Sequence, residues 1–276
     1  MSIQKSLRLS LVLMACLPLI FLTIFTYNLS YKKYMDLATQ STVELAKNYG
    51  MGFQSQLNSQ IAEVEGLANG TNIQNLVLEN YNGVTLGNDS PYYTNVTDLF
   101  ATASDYAGNN VNYYLYDVNG YYITSSDNTN TDDWQEHMTI PVEDITETKI
   151  LQCSPLDEIE SIDVVSPIII KSKIVGLIRA NITSRYFGSF IPEDGSAFIM
   201  TNDGGYLFTS TGLTGQRELE TQAFNCLNGA DNAKDYGHLK ASSFKNIYGF
   251  CKLSDSNWLY LIKQQGTQYQ QILATL

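Results

Sequence analysis

Residues 112–126 read NYYLYDVNGYYITSS, and residues 196–210 read SAFIMTNDGGYLFTS. In the first, two runs rich in β-branched and aromatic residues flank the turn Asp117-Val-Asn-Gly120, and the second has the same layout. This is the pattern of a β-hairpin. Aligning Gly120 with Gly204 sets an offset of 84 residues, at which Tyr122 matches Tyr206, Ile123 matches Leu207 and Ser126 matches Ser210. A second hairpin follows each of these. DVVSPIIIKSKIVGLIRANIT (163–183) turns at Lys171-Ser-Lys173, and YGFCKLSDSNWLYLIKQQ (248–265) turns at Ser254 to Asn257. The same offset places Ile174 on Trp258, Val175 on Leu259, Leu177 on Leu261 and Ile178 on Ile262. Two hairpins that agree on one offset indicate an internal duplication. The expected fold is α+β, with two stacked antiparallel-sheet units along one long N-terminal helix.

Upstream of the duplication, Tyr34, Leu37, Ser41, Leu45, Tyr49, Phe53, Leu57, Ile61, Val64 and Leu67 recur at spacings of three or four. That is one face of an α-helix. No proline interrupts it, and Asn69-Gly70 reads as its stop. Asn72 then reads as the N-cap of a short helix, Ile73 to Asn80. The stripe requires cover, from a sheet or in part from the same helix of a second subunit.

Further upstream, residues 9–31 lie between Arg8 and Lys32 without a single Asp, Glu, Lys, Arg or His. About 20 apolar residues cross the hydrocarbon core of a bilayer, so this run is expected to be a transmembrane helix. A cleaved signal peptide fits less well, because the apolar run continues through Phe25 and no Ala-x-Ala site follows. Leu13-Met-Ala-Cys16 only partly resembles a lipoprotein box, and cleavage there would leave a new end that is still greasy. Lys5, Arg8 and the terminal amine favour an inside N-terminus, which Lys32 and Lys33 partly offset.

The net charge of -12 argues against nucleic acid as a partner. Cys16, Cys153, Cys226 and Cys251 form no CxxC or Cys/His ligand cluster, so no metal is expected. Cys226 and Cys251 are either a disulfide of an exported domain or buried free thiols, and spacing leaves both open. No cofactor motif, nucleophile elbow, H-E-x-x-H or P-loop is present. His137 and His238 stand apart in separate halves, so an enzyme is not expected. The acidic cluster Asp157, Glu158 and Glu160 lacks EF-hand spacing and reads as a solvated loop.

Taken in order, the membrane run, the long helix ending ANGTNIQNLV, YLYDVNGYYITSS, the Trp134 segment, SPIIIKSKIVGLIRANIT, DGSAFIMTNDGGYLF and DSNWLYLIKQQ resemble the double Cache (dCache) family of bacterial sensor domains. The resemblance covers residues 30–265. It implies a cytoplasmic tail (1–8), a membrane helix (9–31) and a signalling helix (32–69). A membrane-distal subdomain (70–183) holds the ligand pocket and a membrane-proximal one (184–265) follows. It further implies an extracytoplasmic small-molecule sensor of a chemoreceptor, histidine kinase or diguanylate cyclase, working as a homodimer. The last residues, 266–276, are too polar and short to span a membrane. They are expected to lead into a second membrane helix of a longer receptor. A ligand-free dimerisation scaffold tethered to the membrane is the alternative.

Amino-acid sensors of that family carry an Arg-x-Trp-Tyr-like segment in the distal loop and an Asp at the end of the last distal strand. Here the loop reads Asp132-Asp133-Trp134-Gln135, with Asp132 where the Arg would be, and Asn181 falls where the Asp would be. The carboxylate clamp is absent, so amino acids and simple organic acids are expected to bind poorly. Trp134, Asp132, Asp133, Tyr114, Tyr116, Tyr122 and Asn181 are the expected ligand-binding set. An aromatic wall with acids beside it suits a cationic amine or a flat neutral ring. Tyrosines occupy both parities of the first strand, so the pattern does not say which of them face the ligand. Trp134 as a plain core anchor and the two acids as a solvated turn fit the pattern equally.

Overall fold

The computed structural model describes residues 3–81, 90–127, 133–134, 140–152, 161–191, 197–202, 204–207, 217–228, 235–240, 246–254 and 256–265. Asp132, Gln135, His137, Cys153 and the acids at 157, 158 and 160, all singled out above, lie outside these residues, as does 266–276.

Helix α1 (Ile3–Ala68) is continuous through Pro18. From Leu17 to Leu29 its apolar side chains are exposed, Phe21 by 76%. Among the described residues no helix is long and apolar enough to cross a membrane, the side chains of 3–13 and 15 being outside that set.

The buried face of α1 is Ala38, Thr42, Ala46, Gly50, Phe53, Leu57, Gln60, Val64 and Ala68. The expected stripe is therefore matched at Phe53, Leu57 and Val64, but the buried residue lies one position away from the expected one before Phe53 and again at Gln60 and Ala68. Leu37 and Ser41 point outward, and small residues take their place. The cause is close backbone approach: a β-carbon on Gly249 would stand 2.5 Å from the Thr42 carbonyl oxygen, and one on Gly50 would stand 2.9 Å from Cys251 Cβ. Large side chains do not fit such a seam.

Helix α2 (Thr71–Tyr81) starts earlier than expected. Gln74 N–H donates to the Gly70 carbonyl, so Asn72 lies inside the first turn and is not its cap. Helix α3 (Pro91–Tyr106) is a further element, with Pro91 in its first turn and the Ser90 hydroxyl accepting from Tyr92 N–H.

Among the described residues, nine strands form two antiparallel sheets. The first contains β1 (Val111–Asp117), β2 (Tyr122–Ser125), β3 (Lys149–Gln152), β4 (Ser161–Ile170) and β5 (Lys173–Thr183), in the order β2-β1-β5-β4-β3. The second contains β6 (Ala197–Met200), β7 (Tyr236–Leu239), β8 (Asn246–Leu253) and β9 (Trp258–Gln265), in the order β6-β9-β8-β7. Mapped onto each other, the two orders are the same. The pair Tyr116–Tyr122 in the first sheet recurs as a bridge between Met200 and Tyr206, 84 residues on. Gly120 and Gly204 both carry positive φ, 83° and 87°, at the same turn position. A bulge between Ile168 and Ile169 puts the body of β4 one residue out of step with β8.

Helix α1 lies across both sheets. Thr42 Oγ1 bonds to the Gln264 side chain of the second sheet, and Gln60 bonds to Tyr113 of the first. The second sheet is thus the one nearer the apolar end of the helix. Its outer face (Phe198, Met200, Tyr248, Phe250, Leu259, Leu261) is covered by helix α4 (Arg217–Asn228) through Leu219, Ala223 and Leu227. No disulfide joins Cys226 to Cys251, which closes the choice left open by their spacing.

Candidate functional site on the outer face of the first sheet

Strand β1 alternates its side chains between two environments. Tyr113 and Leu115 face the helices. The Tyr113 ring stacks on Phe100 at 5.8 Å, and its hydroxyl accepts a 2.7 Å bond from Gln60 Nε2. Tyr114 and Tyr116 face the other way. They share a cluster with Trp134, Val142, Ile145, Val165 and Leu177, with Tyr122 packed at its edge. The parity that the sequence leaves open is thereby assigned: the even-numbered tyrosines form the outer face.

Trp134 is fully buried against this face. Its ring meets Tyr116 edge-on at 5.7 Å, its backbone N–H donates to Gly120 O at 2.7 Å, and its indole N–H donates to Ile140 O at 2.5 Å. A buried indole normally finds such an acceptor. Trp134 therefore fastens the covering segment to the first hairpin, the anchoring role weighed above. Asp133 does similar work: its Oδ1 accepts from Tyr122 N–H at 2.9 Å. The Tyr122 hydroxyl pairs with Ser125 Oγ at 2.9 Å. The turn itself is shaped by Asp117, whose Oδ1 accepts from Asn119 and Tyr121 N–H.

Beyond the aromatic cluster, the same face carries charge. Arg179 on β5 and Asp163 on β4 are 95% and fully buried, with Nε 3.0 Å from Oδ1. Asn181, two residues along β5, donates to the same Oδ1 at 2.9 Å and to Ser161 Oγ at 3.2 Å. The guanidinium sits over the Tyr114 ring, 5.1 Å from its centre. Burial works against the arginine's charge, but Asp163 and then Tyr116 outweigh it, and its pKa is raised. Burial pushes the Tyr116 hydroxyl up to about 12, Arg179 partly opposing. Tyr114 is raised by burial and by Asp127, against Arg179.

Of the expected set, Tyr114, Tyr116, Tyr122, Asp133, Trp134 and Asn181 lie on or against one sheet face, and Asp132 is outside the described residues. The sequence reading passed over Arg179 and Asp163. A signal for them existed. Asp163 is the one charge in β4 and Arg179 the one charge in β5 beyond its first residue, and a hairpin closing at Lys171-Ser172 sets Asp163 opposite Asn181 and Val165 opposite Arg179. That makes Arg179 and Asp163 diagonal neighbours on one face. His238 is exposed on β7. Among the described residues no group of three His, Cys, Asp or Glu is placed to hold a metal.

Set against solved structures, the chain has the double Cache fold of bacterial extracytoplasmic sensor domains. The extracellular domain assigned to a histidine kinase, soHK1S-Z6, aligns with a TM-score of 0.60 at 10% identity, over 90% of this chain and all of that one. The sensor domain of the V. cholerae histidine kinase DctB aligns at 0.55 and 11% identity, over 86% and 98% of the two chains. The ligand-binding domain of the Pseudomonas aeruginosa PAO1 amino-acid chemoreceptor PctC, solved with GABA, aligns at 0.53 and 15% identity, over 82% and 99%. No protein-family model and no curated protein sequence matches the chain.

Proposed function

We propose that this chain is the extracytoplasmic sensor of a bacterial signalling receptor, held in the membrane by residues 9–31 and binding a small molecule on its distal subdomain. The division into a distal unit (70–183) and a proximal unit (184–265) is part of this reading. Support for the anchor comes from the apolar side chains between Leu17 and Leu29, which are exposed. Support for the site comes from one observation above all: a buried polar group set, Arg179, Asp163 and Asn181, lies beside an aromatic cluster on the sheet face opposite the helices. Fold neighbours were solved with GABA, L-Arg and L-leucine. The ligand-binding residues are Tyr114, Tyr116, Tyr122, Asp132, Asp133, Trp134 and Asn181, with Trp134 and Asp133 holding the cover in place. A cationic amine or a flat neutral ring is the ligand class that an aromatic wall with acids accepts.

Signalling follows from linkage. A ligand biases the receptor only by preferring one arrangement of the distal unit, and a tenfold preference supplies about 1.4 kcal/mol. Helix α1, bonded to both sheets, carries the change towards the bilayer, and a homodimer reads it out. The protein acts as a receptor, without catalysis of its own.

The experiment is thermal-shift screening of the full chain in detergent against amines, flat heterocycles, sugars, amino acids and organic acids. A sensor is stabilised by at least one class. The full enclosure of Trp134 favours a second reading, the ligand-free dimerisation scaffold, and absence of any stabilising compound would establish that one instead.

A further inference from the structure

Buried polar groups in folded proteins are nearly always hydrogen-bonded, and each exception calls for an explanation. Among the described residues, Arg179 (Nε and Nη1), Asp163 (Oδ2) and Tyr116 (Oη) carry buried atoms without a hydrogen-bond partner, the 3.0 Å Nε–Oδ1 contact being an ion pair. All three belong to one locus. The Arg179–Asp163 contact is single, through Nε and Oδ1, and so leaves the second oxygen of the acid and one arm of the guanidinium unused. The Tyr116 hydroxyl lies beside the same guanidinium and interacts with it directly. The locus thus offers a fixed donor, a fixed acceptor and a hydroxyl able to act as either.

Resting on the sensor reading above, we propose that the Arg179–Asp163 pair recognises a neutral flat ring bearing a carbonyl and an N–H side by side, as in a cyclic amide, imide or urea. The carbonyl accepts from Arg179 Nη1, the N–H donates to Asp163 Oδ2, and Tyr116 Oη takes a further polar edge atom. The charge balance selects neutrality. Arg179 and Asp163 cancel, so a ligand with net charge enters a buried site that has no spare counter-ion. A cationic amine meets Arg179 there, and an organic acid meets Asp163. A zwitterionic amino acid carries no net charge, but it must strip water from two full charges to enter a buried site. A lactam edge carries neither charge, and it uses only the atoms the pair leaves over. Tyr114 and Tyr116 supply aromatic surface for the ring.

The test uses the full chain in detergent, with calorimetry and thermal shift. The lactam probes are uracil, hypoxanthine and 2-pyridone. The comparison compounds are 1,3-dimethyluracil, putrescine, GABA and L-leucine. At least one lactam should bind, and 1,3-dimethyluracil, which has no N–H, should bind at least roughly tenfold more weakly than uracil, as expected when a buried acceptor is left unpaired. Asp163→Asn and Arg179→Lys should each lose lactam binding by a similar factor. Should those variants fail to fold, the comparison of methylated and unmethylated rings on the unaltered chain decides. Binding of putrescine, GABA or L-leucine with no lactam binding would overturn this ligand class and leave the sensor reading standing. Equal binding of uracil and its dimethyl derivative would also overturn it. No binding by any compound would remove both.

Discussion

Gln60, deep in the seam between the long helix and the first sheet, donates a 2.7 Å hydrogen bond to the hydroxyl of Tyr113. Both side chains are buried, so neither finds water if the other is removed. Gln60→Ala is expected to destabilise the fold by roughly 1–3 kcal/mol, the cost of an unsatisfied buried group. Tyr113→Phe should cost less in that background than in the native one. A denaturation double-mutant cycle measures this, and strict additivity would show that the bond does not couple helix to sheet.

Gly249 and Gly66 should respond to alanine in opposite directions. A β-carbon at Gly249 meets the Thr42 carbonyl at 2.5 Å, a backbone atom that yields only if α1 moves off the second sheet. Gly249→Ala should cost roughly 1–3 kcal/mol, as overpacking does. At Gly66 nothing lies within 4 Å, and the residue is helical. Gly66→Ala should stabilise by roughly 1 kcal/mol. Thermal unfolding of the two variants against the native chain checks both signs.

Alkali should weaken the first sheet. Burial raises Tyr116 from an ordinary 10.0 to about 12, and burial raises Tyr113 and Tyr114 as well. A folded chain therefore keeps protons that the unfolded chain releases above pH 10. Their contribution is complete below pH 10 and drains away as pH climbs through 12. The melting temperature should fall across that window, and less steeply in Tyr116→Phe. An unchanged slope in that variant would show that this hydroxyl is not the group that titrates.

Thiol reactivity should separate the two cysteines of the second unit. Cys251 is buried, and burial, with Asp235 adding, raises its thiol to about 11. Cys226 is half-buried on α4. A thiolate is the reacting species, so under native conditions at pH 8 a disulfide reagent should modify Cys226 well before Cys251. Peptide mapping after a timed reaction reads the order.

Much of this architecture was legible because period and offset survive without context. Gly120 and Gly204 mark one turn in two copies, and the paired strand orders follow from it. Features that depend on tertiary contact were not legible. The shift of the α1 seam from Leu37 and Ser41 to Ala38 and Thr42 comes from how near β8 runs. Helix α3 begins at a Ser-Pro start that precedes tyrosines and β-branched residues, whose local preference is for strands; burial of Val96 and Phe100 overrides it. At the candidate site, Tyr114, Tyr116 and Trp134 stood out by type, whereas Arg179 and Asp163 needed the hairpin register before they could be seen as a pair.

The two copies differ most in what lies over them. Over the second, α4 contributes three apolar side chains to the core, so that roof and floor must evolve together. Against the first, Trp134 and Asp133 are fastened to the first hairpin and Val142 and Ile145 join the aromatic cluster, with no helix as long as α4 among the described residues there. Side chains on the first face can therefore change without repacking such a helix, whereas any change beneath α4 must be matched on that helix.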